Sequence, residues 1–406
     1  MKKTNLKFFE WFVGFVEAEG CFKIKPKYRQ GKDQVHSFYF EFEIHLHKDD
    51  VNVLEFIKDS LGFGKVYTRN NSSSFIVGSE GNINNLISIF NEFELNGIKY
   101  LDYVDFKKAF FLYFNRDDKL TEDIINNILN IKNNMNSNRS NFNILKPINI
   151  TPYYLLGLIE GDATFSISRN PIRPNFQILF TCFQEPLLIK IREFLINNLE
   201  LDDNSLWYIK NSSVISVNSI EAKGNAKSTV LLEIRNRNLL FNYFIPFLSK
   251  LEFNSKKFKD FSDFKVICEA LYKGLDRLDN IKDLILKLSY NMNDYRLTTN
   301  KSNDKSSITK EELNLIINTK AIIEHLDDGR VKDLINNEID SKISNNIYLI
   351  TKPDNIELKV KTLKEAADTV GINYNTLSKK LKNIDNIDIK GFNVKRIGIF
   401  KPVSLH

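Results

Sequence analysis

Two short stretches of this chain end in the same arrangement of acids. Residues 12–20 read Phe-Val-Gly-Phe-Val-Glu-Ala-Glu-Gly, and residues 155–163 read Leu-Leu-Gly-Leu-Ile-Glu-Gly-Asp-Ala. Each is an apolar run with glycine third, closed by acid, small residue, acid. Carboxylates are the hard oxygen donors that hold Mg2+, whereas a single acid at a helix end more often caps or solubilises it. The repetition changes that weighing. Glu94-Leu-Asn-Gly-Ile-Lys99 is matched by Glu252-Phe-Asn-Ser-Lys-Lys257, and an aromatic-x-Asp-aromatic run follows each at 100–103 and 258–261. Asn134-Met-Asn-x-x-Arg139 is then matched by Asn291-Met-Asn-x-x-Arg296. Ordered matches at nearly constant spacing mean two copies of one unit, each carrying an acid pair and a downstream lysine.

The elements that must position these groups are legible in both copies. Residues 8–18 are apolar on most faces and free of proline, which predicts a buried helix stopping at Gly20. Residues 21–25 and 37–47 alternate. In the second stretch Phe38, Phe40, Phe42, Ile44 and Leu46 fall on one face, with Tyr39, Glu41, Glu43, His45 and His47 on the other. Helical spacing at 51–61, strands at 65–69 and 74–77, and helices at 83–93, 103–114 and 121–135 complete the first unit as αββαββα. Strands at 164–169, 176–183, 206–210 and 230–235 repeat that order, and 141–152, with two prolines, reads as the linker.

Composition bounds the rest. The 57 Lys and Arg exceed the 51 Asp and Glu by six, which permits a polyanionic partner without demanding one. Cys21, Cys182 and Cys268 are too few and scattered for a disulfide framework or zinc site, so all three are expected as reduced thiols. No apolar run reaches membrane-spanning length, so no membrane partner is expected. The first motif starts early, so no cleavable presequence is expected. Abundant Phe, Asn, Ile and Lys suit an A/T-biased, organellar gene.

The two nine-residue motifs resemble the signature of LAGLIDADG homing endonucleases, and the resemblance covers residues 8–296. It implies an α+β fold of two pseudo-symmetric units forming a DNA-binding β-saddle, with the motif helices packed together at the centre. The last acids, Glu19 and Asp162, would emerge at the helix bases as metal ligands, joined by the backbone carbonyls of Ala18 and Gly161. Glu17 and Glu160 would serve structurally near the interface. Lys99 and Lys257 would stand near the scissile phosphates, and His47 and Gln184 near a position that orders water. The implied activity is Mg2+-dependent cleavage of both strands of duplex DNA, with Mn2+ able to substitute, leaving 3′ overhangs. Ala163 replaces the terminal glycine of the second motif, where some backbone strain is expected.

By the same resemblance, residues alternating from each last acid face the duplex: Cys21, Lys23, Lys25 and Lys27 in one unit, and Thr164, Ser166, Ser168 and Asn170 in the other. Tyr39, Glu41, Glu43 and His45, with Gln177 and Thr181, extend these faces, and Arg69, Arg169, Arg173, Lys210 and Arg235 join them. Mixed donors and acceptors of this kind suit base readout in the major groove, at an asymmetric site because the copies differ.

Residues 298–307 read as a linker, and 310–317 and 321–326 as helical. Strands at 347–351 and 356–361 precede a helix opened by Thr362, broken at Gly371 and followed by a second helix at 374–381, an arrangement that suggests a helix-turn-helix. This segment resembles the small module often appended to intron-encoded endonucleases, and its second helix would bring Asn375, Thr376 and Lys379 to DNA. The expected units are therefore 1–140, the linker 141–152, 153–297, the segment 298–345 and the module 346–406. The chain is expected to act as a monomer in the mitochondrial matrix. A maturase that binds host intron RNA, and a silent DNA-binding protein, are the rival readings.

Overall fold

Trp11, Phe12, Val13, Phe15 and Val16 leave the first motif helix no face for water, and all five are buried. A helix apolar all round belongs inside a protein, and the rest of the fold is arranged about it. The computed structural model describes residues 3–29, 34–116, 119–144, 146, 148–224, 227–295 and 307–402. Arg296 and nearly all of the expected 298–307 linker lie outside these residues, as does Pro147 of the first linker.

The first unit runs α1 (Lys3–Glu19), β1 (Gly20–Tyr28), β2 (Val35–His47), a short 3-10 turn (Lys48–Asp50), α2 (Val51–Leu61), β3 (Lys65–Arg69) and β4 (Ser72–Val77). It continues through α3 (Glu80–Glu92), α4 (Lys99–Phe114) and α5 (Glu122–Asn133). The second unit repeats it with α6 (Pro152–Asp162), β5 (Ala163–Arg169), β6 (Ile172–Thr181), a 3-10 turn (Cys182–Gln184) and α7 (Glu185–Asn198). Then come α8 (Asp203–Lys210), β7 (Ile215–Ile220) and β8 (Thr229–Ile234). A helical run follows in three pieces, α9 (Arg237–Leu239), a π turn (Leu240–Phe244) and α10 (Ile245–Ser249), before α11 (Lys257–Tyr272) and α12 (Asp279–Asn291). The sheets are antiparallel with the same order, β1-β2-β4-β3 and β5-β6-β8-β7. Phe38, Phe40, Phe42 and Ile44 pack beneath β2 as the alternation predicts.

One expected strand is a helix. Residues 206–210 belong to α8, because Asp202 caps the backbone N–H groups of Asn204 and Ser205 at 3.0 Å each and starts a helical turn. The strand that completes the sheet is β7, so the second unit carries a helix that the first lacks. The expected strain at Ala163 is also absent, since φ −78° and ψ 155° are extended values open to any residue.

The repeated Asp and Asn residues form one latch twice. Asn136 donates its backbone N–H to Asp102 (2.8 Å) and its side-chain amide to Phe22 O (3.0 Å). Asn293 does the same to Asp260 (2.7 Å) and Phe165 O (3.2 Å). Both asparagines adopt left-handed backbone angles, φ 55° and 57°, which Asn tolerates better than bulkier residues.

Beyond these units come α13 (Lys310–Asn318) and a three-stranded sheet of β9 (Ile323–His325), β10 (Arg330–Asp333) and β11 (Glu338–Ser344). The helix expected at 321–326 is thus a strand, entering a hairpin whose turn uses Gly329 at φ 86°. The chain ends with β12 (Asn346–Thr351), β13 (Glu357–Val360), α14 (Leu363–Val370), α15 (Tyr374–Lys380), β14 (Asn386–Ile389) and β15 (Phe392–Gly398). These strands form a sheet of order β13-β12-β15-β14. Ile350, Ala366, Ala367, Leu377, Leu381 and Val394 form a small apolar cluster of their own there.

Candidate functional site

The site begins where α1 and α6 touch. A Cβ added at Gly14 would lie 2.0 Å from Tyr154 O, and one at Gly157 would lie 2.0 Å from Trp11 O, so only glycine admits this backbone approach. At the helix ends a Cβ on Gly161 would meet the Ala18 Cβ at 2.4 Å and Glu19 Cγ at 3.4 Å. The contact sets Glu19 beside Asp162. Glu19 is half-buried and is pushed up to about 7, first by burial and then by repulsion from Asp162, with Asp50 adding to it and Lys99 and Lys257 opposing it. Asp162 is raised to about 6, chiefly by desolvation, and the same two lysines pull it down. Its side chain is nevertheless open to solvent, so screening weakens that shift relative to the one at Glu19. Both lysines thus act on both acids across the pseudo-two-fold axis.

The inner acids explain how the lysines are held. Buried Glu17 accepts the Asn96 N–H at 2.9 Å, and Glu160 accepts the N–H groups of Asn254 (3.0 Å) and Ser255 (2.5 Å). Each acid therefore fixes the loop that leads to its own unit's lysine. Each also bonds across the interface, Glu17 to the Tyr154 hydroxyl (3.4 Å) and Glu160 to Trp11 Nε1 (2.8 Å).

The turns after β2 and β6 cross over as well. Gln184 Oε1 accepts the Ile98 N–H at 3.3 Å, and Asp50 lies 3.3 Å from Lys256 Nζ. Asp50 therefore holds the place in the first unit that Gln184 holds in the second. His47, which the sequence pairs with Gln184, instead accepts the Asp49 N–H at the start of its turn (3.4 Å). Asp50 went unnoticed in the sequence because it carries no motif, and only the matching turn geometry singles it out. Glu19, Asp50, Gly161, Lys256 and Lys257 line one small cleft of about 70 Å³.

On the first sheet, Lys23, Lys25, Tyr39, Glu41, Glu43, His45 and Arg69 all line one concave cleft of about 500 Å³. Lys25 pairs with Glu41 at 2.6 Å, Lys23 pairs with Glu43, and His45 Nδ1 meets Ser74 Oγ at 2.8 Å. Lys27 lies over the Tyr39 ring at 5.4 Å. Tyr67, Ser72 and Ser74 share this cleft and were missed, although the alternation of β3 and β4 carried the signal. On the second sheet Ser166 pairs with Asn175 and Ser168 with Arg173, while Gln177 lies between Thr164 and Glu233. Arg235 stands one residue past β8 and bonds Glu233 at 2.7 Å.

Three expected contacts are corrected. Arg169 shares the parity of Phe165 and Ile167, and its guanidinium lies 4.1 Å from the centre of the Tyr290 ring of α12. Lys210 ends a helix and lies on no sheet face. The Thr181 hydroxyl is enclosed, and no hydrogen-bond partner for it lies among the described residues. Asn375, Thr376 and Lys379 stand exposed on α15, opposite buried Leu377.

Fold and site together define a two-unit α+β protein whose paired motif helices bring two acids and two lysines together between antiparallel sheets. The profile of the LAGLIDADG endonuclease family matches residues 12–110 and 155–268. The chain belongs to that family. It is 25% identical over 407 residues to the uncharacterized mitochondrial protein RF1 of Saccharomyces cerevisiae, covering 97% of this chain and 83% of that one. It is 29% identical to the probable intron-encoded endonuclease Cox1-I1b of Schizosaccharomyces pombe, over 48% of this chain and 51% of that one. Among solved structures, the homing endonuclease I-GzeII in complex with its DNA target aligns with TM-score 0.60 at 24% identity, covering 71% of this chain and 99% of its own. I-LtrWI bound to target DNA aligns with TM-score 0.59 at 21% identity, covering 72% of this chain and all of its own.

Proposed function

We propose that this chain is a site-specific endonuclease that hydrolyses one phosphodiester in each strand of a long, asymmetric DNA duplex, leaving 3′ overhangs. The observation that carries the reading is the meeting of Glu19 and Asp162 at the joined ends of α1 and α6, with Lys99 and Lys257 acting on both. Acids that repel each other in a crowded, partly dry setting suit a cation between them. No group of three or more His, Cys, Asp or Glu side chains converges among the described residues. A pair of carboxylates suits Mg2+, which keeps several waters and takes substrate oxygens for its remaining ligands.

Glu19 and Asp162 would hold the metal, with Mn2+ able to substitute, and the Ala18 and Gly161 carbonyls are further donors. When bound, Mg2+ supplies charge to phosphate oxygens and lowers the pKa of a bound water. Lys99 and Lys257, set by the loops that Glu17 and Glu160 clamp, stabilise negative charge as it builds on the phosphates. The polar faces of the two sheets read base edges, and exposed α15 adds contacts. As a monomer the chain already carries both half-sites. The names of its relatives favour a mitochondrial setting, for which the matrix is the natural compartment.

The test is cleavage of a randomised duplex library with Mg2+, using wild type beside Glu19→Gln/Asp162→Asn. Recovered double-strand cuts from wild type alone are the expected result, and the ends report the overhang. A folded, DNA-binding wild type that cuts nothing defeats the reading. Intron-RNA binding that survives Glu19→Gln would favour the maturase instead.

A further inference from the structure

The solved neighbours match nearly their whole length within about seven-tenths of this chain, and the family profile ends at residue 268, so the C-terminal part is an addition to that fold. The structure shows how the addition is mounted. Phe400 is fully buried, its ring edge-on to Tyr208 of α8 (5.8 Å, 78°) and to Tyr243 (6.4 Å, 74°). Its N–H donates to Ser205 Oγ and its carbonyl accepts from the Asn242 amide, each at 2.7 Å. Asp202 organises that socket, accepting the Tyr243 hydroxyl at 3.2 Å and the Ser205 hydroxyl at 2.5 Å. Phe400 also has φ 54°, a left-handed conformation that a bulky residue keeps only where its surroundings over-determine it. Two further contacts fix the orientation. Lys361 Nζ donates to Asn211 O just after α8 (2.8 Å), and the His325 ring stacks on Tyr272 at 4.0 Å. The principal seat, α8, is the helix that the first unit lacks.

Charge indicates what this mounted piece faces. Residues 346–402 carry eleven Lys and Arg against six Asp and Glu, so five of the chain's six net positive charges lie there. Asn375, Thr376, Lys379 and Lys380 form an exposed polar face on α15. We infer that α8 and the Phe400 plug hold the C-terminal module as a rigid second DNA-binding head, which lengthens the duplex contact beyond the second unit only and at fixed register. The inference rests on the proposed reading of duplex DNA by the two sheets. A fixed mount removes the ordering cost that a loose tether carries into binding, and one-sided placement makes the footprint asymmetric.

Two measurements on the full chain test this. The first is hydroxyl-radical footprinting in EDTA, on a duplex of about 60 base pairs carrying the library-selected site, so that the expected one-sided extension of roughly one helical turn can be seen. Asn375→Ala/Thr376→Ala/Lys379→Ala/Lys380→Ala should erase the extension and keep the central protection. Phe400→Ala should blur the extension while central protection stays. Central protection with no extension, or an extension of unchanged sharpness in Phe400→Ala, overturns the mount. Absence of any protection overturns the underlying reading along with it. The second measurement is the salt dependence of binding to a random-sequence duplex, which needs no cleavage. Lys379→Gln/Lys380→Gln should make log K against log[salt] shallower by roughly one per lysine, and an unchanged slope denies the module its DNA contact.

Discussion

At Glu19 the folded chain holds a proton more tightly than an open chain does, because burial and the neighbouring Asp162 disfavour the charged form. The sign of the consequence follows. Below about 4.5 the group is protonated in both states and contributes nothing. As pH rises towards about 7, ionisation favours the unfolded chain and metal-free stability falls. At pH 8 Glu19→Gln should therefore stabilise the metal-free protein by on the order of 2 kcal/mol, and near pH 4 hardly at all. Urea unfolding at both pH values checks this, and equal effects at the two would remove the electrostatic account. Stabilisation by added Mg2+, strongest above pH 7, should vanish in the same variant. The Asn293 latch makes a separate prediction. Asn293→Ala loses the amide bond to Phe165 O and suffers at φ 57°, so it should cost about 2–3 kcal/mol. Asn293→Gly, free of the backbone penalty, should cost about half as much.

Among the elements, α1 and α6 have no tolerance at their crossing. Gly14→Ala puts a methyl 2.0 Å from Tyr154 O, and that atom is backbone and cannot rotate aside. The helices must part, at a cost of about 3 kcal/mol or more, and the separation also breaks the Glu19–Asp162 pairing. Thermal denaturation with DNA cleavage should show both losses. Gly81→Ala is the control, since a Cβ there meets nothing within 4 Å, and it should leave both unchanged. These helices, the four strands of the first sheet and three of the second were legible because strong periodicity repeats in two copies, each confirming the other. Where only one copy exists the reading failed. Leu206, Trp207, Tyr208 and Ile209 have strand-forming side chains, and the cap supplied by Asp202 outweighed them. Residues 321–326 show the same weakness, because Ile323 owes its burial to the hairpin partner β10 and to Gly274 packed against it. The site was legible as far as the motifs extend, and Asp50 lies outside them.

Across the whole molecule the two-fold repeat is imperfect where it matters for chemistry. At matching turns the first unit presents Asp50, paired with Lys256, and the second presents neutral Gln184, bonded to the Ile98 N–H. Asp50 raises Glu19, whereas Gln184 brings no charge to the opposite half. The two strands therefore meet unlike surroundings and should be cut at unequal rates. On a supercoiled plasmid carrying one site, a nicked circle should accumulate before the linear form, most visibly below pH 7, where Glu19 is protonated more than Asp162. Asp50→Asn removes one of the repulsions on Glu19 and the Asp50–Lys256 ion pair. It should move the pH–rate midpoint of the slower strand to lower pH and shrink the nicked fraction at pH 6.5. Gln184→Glu, which gives the second unit's turn the charge that Asp50 gives the first, should bring the two rates together and shrink that fraction as well. Strand-specific end-labelling measures both rates in one reaction. Equal rates in wild type, or a nicked fraction indifferent to both substitutions, would mean that the asymmetry of the turns does not reach the scissile phosphates.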